Sequence, residues 1–118
     1  MDSNKVFSKF KSILERYEPN LAVLHNKIDN YYLNTPKTET NKKPDFFGAV
    51  QVKKSYVAFH IMPIYYYPEL LDNISKELKN KMQGKSCFNF KDIDENLFSE
   101  LNSLTENCFE KYKSLNKV

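Results

Sequence analysis

In 118 residues the chain has two glycines, two cysteines, no tryptophan and a single arginine. So few glycines exclude a collagen-like repeat and a loop-rich scaffold. The shortage of arginine narrows the partners. Of 18 basic residues only Arg16 is arginine, and bidentate reading of guanine or phosphate favours the planar guanidinium fork. With a formal charge of only +3, the expectation is solubilising lysine charge and no specific nucleic-acid recognition. Cys87 and Cys108 match no CxxC or zinc spacing. No apolar run approaches the roughly 18 residues that span a bilayer, so no membrane role is expected. The first ten residues, MDSNKVFSKF, lack the apolar stretch of a secretory leader. The expectation is a cytoplasmic location, with both thiols reduced and packed as small hydrophobes.

Apolar residues make up 41% of the chain and charged residues 28%, enough to bury a core and to resist disorder. The length suits one domain over residues 1–118, and neither an internal repeat nor a linker divides it. Of nine phenylalanines and eight tyrosines, eleven lie between Tyr31 and Phe90, which points to a β-rich middle.

Val6, Phe7, Phe10, Ile13, Leu14 and Tyr17 follow helical spacing, so a helix is expected over about residues 4–17, capped by Ser3 and stopped before Pro19. Residues 21–27 and 31–35 read as strands joined at Asp29-Asn30. The polar, proline-bounded stretch 36–44 reads as a loop and as the most mobile internal segment. Residues 45–53 and 56–62 form the clearest hairpin, turning at Lys53-Lys54-Ser55. Alternation in its second strand sends Val57, Phe59 and Ile61 to the core, and Tyr56, Ala58, His60 and Met62 to the other face. Pro68 opens a helical segment through Met82, with a break at Ser75, and Gly84 suits a helix C′ position. A last strand over 86–91 precedes a helix over 95–115, capped by Asp92 or Asp94. The fold class expected is α+β: an antiparallel sheet of about five strands, with N-terminal, middle and C-terminal helices packed on one face.

The runs NYYLNTP, KKPDFFGAVQVKKSYVAFHIMP, PELL, ELKNKMQGKSCFNFKD and LFSELNSLTENCFEKY resemble the YdhG-like family of small bacterial proteins, a domain-of-unknown-function group. MQGKSCFNF and YVAFHIMP are the most distinctive pieces. The resemblance covers nearly the whole chain and implies a compact α+β fold with helices on one antiparallel sheet. Some relatives are described as frataxin-like iron chaperones, which makes iron the alternative cargo. Iron loading of the frataxin type uses an acidic ridge on the first helix. Here that helix carries Lys5, Lys9, Lys11 and Arg16 against Glu15 and Glu18.

No catalytic motif assembles, so the chain reads as non-enzymatic. Gly84-Lys85-Ser86 mimics the end of a phosphate loop, but Lys79 occupies the place of the first glycine and the element order is reversed. Cys87 has no histidine near it in sequence, which weighs against a nucleophile. His25 and His60 would make a metal pair only if their strands were neighbours and a carboxylate, such as Asp29 or Asp45, or a thiolate joined them. The expected ligand surface is the outer, tyrosine-rich sheet face with the segment beside it: Tyr56, His60, Tyr65, Tyr66 and Lys85. No cofactor is expected there. An exposed aromatic patch invites covering, by a small ligand or by a second copy in a homodimer.

Overall fold

The computed structural model describes residues 1–118. Its core forms where two aromatic-rich layers meet. One is a five-stranded antiparallel sheet of β1 (Ala22–Lys27), β2 (Asn30–Asn34), β3 (Phe46–Val52), β4 (Val57–Ile61) and β5 (Cys87–Phe90), in spatial order 1-2-3-4-5. The other is a layer of helices: α1 (Ser3–Glu15), the single turns α2 (Pro63–Tyr66) and α3 (Lys76–Lys79), and α4 (Glu95–Ser114). The expected α+β architecture is present.

The helices form because their ends are satisfied and their apolar stripes have somewhere to go. Asp2, one residue before the expected Ser3, caps α1 by accepting from the Lys5 amide, and Asp94 caps α4 by accepting from Asn96 and Leu97. α1 lies over β3 and β4. Phe10 stacks on Phe90 with centroids 4.3 Å apart and meets Phe59 edge-on. α4 brings Phe109 and Tyr112 edge-on to Phe47. At Gly48 α1 packs close against the sheet. A Cβ there would come within 3.3 Å of Leu14 Cδ2 and 3.0 Å of the His60 carbonyl oxygen.

The segment between β4 and β5 breaks at Ser75 as expected, but it starts earlier and in shorter pieces than the expected helix from Pro68 to Met82. Pro63 starts a turn of helix directly after β4, a 3₁₀ turn covers Pro68–Leu71, and Ser75 caps α3 by accepting from the Leu78 amide. Gly84 is not a helix C′ residue. Residues 81–83 run beside β5, with the Asn89 amide donating to Lys81 and the Gln83 amide to Cys87. Gly84, at φ +81°, makes the turn into the strand. This pairing covers the β5 edge and leaves β1 as the open one. The 36–44 loop, expected to be mobile, is tied down: the Asn41 amide group donates to Thr35 Oγ1, the Pro36 carbonyl and the Lys117 carbonyl.

Candidate functional site

Strand register decides what the uncovered sheet face presents. Tyr31, Val50, Phe59 and Phe88 form one cross-strand row and are fully buried under the helices. The adjacent row, His25, Tyr32, Ala49, His60 and Cys87, therefore points the other way. A second outward row holds Asn30, Gln51, Ala58 and Asn89. Apart from Ala49 and Ala58, which their larger neighbours bury, and His25, which is exposed, these residues are half-buried. That is the state of side chains standing on a sheet with nothing laid across it.

A bulge adds Phe46 to this face. Leu33 pairs with Gly48 but Asn34 pairs with Phe46, so the register slips by one residue at Phe47. Phe47 and Gly48 both face the helices, and Phe46 is turned outward. Its ring stacks on Tyr32 with centroids 4.6 Å apart and an interplanar angle of 23°. Tyr32 also meets His25 edge-on at 5.7 Å, and Phe46 lies 6.4 Å from His60. The result is a continuous ribbon across the sheet: His25, Tyr32, Phe46, His60.

The ribbon ends at a histidine–thiol contact. His60 Nε2 is 4.0 Å from Cys87 Sγ, and the thiol lies 3.3 Å from Asn89 Oδ1. Burial lowers the His60 pKa below its ordinary 6.5, and the nearby Lys53 ammonium lowers it further. Burial raises the Cys87 thiol, with Lys53 opposing. Both groups are pushed toward their neutral forms. An activated thiolate–imidazolium pair requires the reverse shifts, so a nucleophile is not assembled here even though the fold supplies the histidine absent from the local sequence.

The other expected residues divide between the two ends of the sheet. Tyr56 sits in the β3–β4 turn, its carbonyl accepting from the Lys53 amide, about 13 Å along the strand from His60. Tyr65 and Tyr66 lie on α2, 50% and 56% exposed and edge-on to each other at 5.3 Å. Lys85 Nζ lies 6.0 Å from the Tyr65 ring, and Lys117 Nζ lies 5.8 Å from the Tyr66 ring. The structure thus joins Tyr65, Tyr66 and Lys85 in one group, and His60 with Cys87 in another. His25 and His60 are separated by β2 and β3, three strand spacings or about 14 Å. They cannot share a metal ion, and no set of three His, Cys, Asp or Glu side chains converges anywhere in the fold.

Sequence reasoning missed Tyr32 and Phe46. Tyr32 was legible from the alternation of NYYLN once Tyr31 was inward. Phe46 was not, because strict alternation puts it on the same side as Gly48. The available signal was Gly48 itself, since a glycine inside a strand marks a bulge or a close backbone approach.

Charge on the sheet is one-sided. The chain has 15 acidic residues, and none lies within any of the five strands. Lys27 is the only lysine, arginine or acidic residue within the strands, and Lys53 adds a second cation at the hairpin. A polar cleft lies away from this face. It is a groove of about 470 Å³ between the 3₁₀ turn and α4, lined in part by Leu70, Ile74, Asn96, Ser99 and Ser103, with Glu100 its sole titratable group. No family model, no curated protein and no solved structure matches the chain.

Proposed function

We propose that the protein is a non-catalytic binding domain that uses the uncovered sheet face to hold a planar ligand with hydrogen-bonding edges. The observation that carries this reading is the combination, on one helix-free face, of the His25–Tyr32–Phe46–His60 ribbon with a complete lack of carboxylates in the strands. Aromatic rings half-buried in a rigid sheet lose little conformational freedom when a flat molecule stacks on them. The side-chain amides of Asn30, Gln51 and Asn89 stand in the next row and offer both donors and acceptors. Gln51 Nε2 already donates to Asn30 Oδ1 at 3.1 Å, which holds that pair in place. Membership of the YdhG-like family, for which MQGKSCFNF and YVAFHIMP speak, is part of the same proposal.

The neutral His60–Cys87 pair favours binding over chemistry, because neither group is poised to take or give a proton near neutrality. The test is a thermal-shift screen of planar compounds (nucleosides, nucleotides, indoles, flavins) on the wild type, Tyr32→Ala and His60→Ala. At least one class should raise the melting temperature of the wild type and lose that effect in both variants. Equal shifts in all three proteins would remove the site. Light scattering on the same samples reads the competing outcome, in which two copies bury the face against each other.

A further inference from the structure

We infer that the ligand of this face is single-stranded nucleic acid, its bases stacked on Tyr32, Phe46 and His60 and its phosphates met by lysines, bound without reading of sequence. The inference rests on the binding-face reading above and names its occupant.

Charge selects the polymer. A polyanion approaching a sheet surface is repelled by any carboxylate on it, and these five strands contain none, although the chain as a whole has 15. The acids sit on helices, turns and loops instead. Cations stand beyond both ends of β4, one at the hairpin before it and one ahead of its partner β5. Lys53 is at the β3–β4 turn, close enough for its charge to act on both His60 and Cys87. Lys85 is at the start of β5, beside the exposed Tyr65.

Shape selects a single strand. Bases in a duplex are hidden from a flat surface, whereas unpaired bases can lie on aromatic side chains of an open sheet. From β2 to β5 the face is about 14 Å wide, room for a short run of bases across Tyr32, Phe46 and His60. The row of Asn30, Gln51 and Asn89 can meet base edges of any identity, because each amide both donates and accepts.

The scarcity of arginine fits this mode. Reading guanine or clasping phosphate in two-point fashion favours the guanidinium fork, and the face has no arginine. Stacking needs none, since every base has a π-face. Lysines supply point charges that track a backbone without specifying sequence. The inference therefore keeps the sequence-based expectation that no specific recognition occurs.

The experiment is fluorescence anisotropy with labelled oligothymidylate and oligouridylate of about twelve nucleotides, and with a duplex of the same length, over a salt series. Wild-type protein should bind both single strands and bind the duplex more weakly. Tyr32→Ala and Phe46→Ala should each weaken single-strand binding roughly 5- to 100-fold. Lys53→Gln should flatten the slope of log affinity against log salt by about 0.7. Circular dichroism melts check that each variant is folded. Cys87 gives a readout that needs no substitution, because a bound strand should slow its reaction with a thiol reagent.

Unchanged binding in Tyr32→Ala and Phe46→Ala would overturn the inference, as would preference for the duplex. The same holds for a dimer that buries the face and ignores nucleic acid. If the oligonucleotides fail but thymidine monophosphate or another planar compound still shifts the wild type and not Tyr32→Ala, the occupant is wrong and the binding face stands. If no planar compound binds either, both readings fall.

Discussion

Phe46 stacks on Tyr32 across the β2–β3 ladder, with centroids 4.6 Å apart, while its neighbour Phe47 is sealed beneath α4. The two phenylalanines have different work because the bulge at Phe47 lets Phe47 and Gly48 both turn inward. Their truncations should therefore separate stability from binding. Phe47→Ala should cost about 3–5 kcal/mol, the range for a fully buried aromatic ring. Phe46→Ala should cost about 1–3 kcal/mol, from the stacked pair and the loss of a half-buried ring, and leave the fold intact. Urea denaturation midpoints of the two variants check this directly. Similar losses in both would mean that Phe46 belongs to the core.

Gly48 makes a related prediction from the other side of the sheet. A methyl group there would meet the His60 carbonyl oxygen, which is backbone and cannot give way cheaply. Gly48→Ala should destabilise the protein by about 1–3 kcal/mol, seen as a lower melting temperature.

Stability should fall in acid partly through His60. Its pKa in the folded state lies below the ordinary 6.5, so the unfolded chain takes up the proton first as pH drops. The contribution is fully present above about pH 6.5 and is lost as pH falls through the lower folded-state value. His60→Gln, which keeps a neutral polar group at the position, should flatten the melting-temperature profile between about pH 7 and pH 5. A wild-type profile that is flat over the same range would contradict the shift.

The two thiols should react differently. Cys108 is fully buried in the core, and burial pushes its pKa up to about 12. Cys87 is half-buried, raised by burial and opposed by Lys53. Native protein treated with Ellman's reagent near neutral pH should release one equivalent slowly, from Cys87. The second should appear only on unfolding. Rapid reaction of Cys87 would show an activated thiolate and reopen catalysis.

Much of this architecture could be read from the residues. The alternation Val57-Phe59-Ile61 placed β4's inner face, and the spacing from Leu97 to Tyr112 placed α4, because both patterns follow directly from strand and helix periodicity. The segment from Pro63 to Gly84 was less legible. Three short turns follow one another there, each too brief to show a period, and Gly84 serves a strand entry instead of a helix end. Strand alternation alone turns His60 away from the core. Its contact with Cys87, 27 residues later, depends on the β4–β5 register, which no local pattern encodes. Tyr65 and Tyr66 on α2 do cluster with Lys85, but beyond the strand end and apart from His60.

The most direct test of the ligand face is a two-dimensional amide NMR titration of isotope-labelled protein with a short oligothymidylate. The amides of Tyr32, Phe46, Ala49, His60 and Cys87 should shift together and saturably, while those of Ser99, Glu100 and Ser103 on α4 stay in place. Shifts confined to α4 and the 3₁₀ turn, or none on the strands, would contradict it.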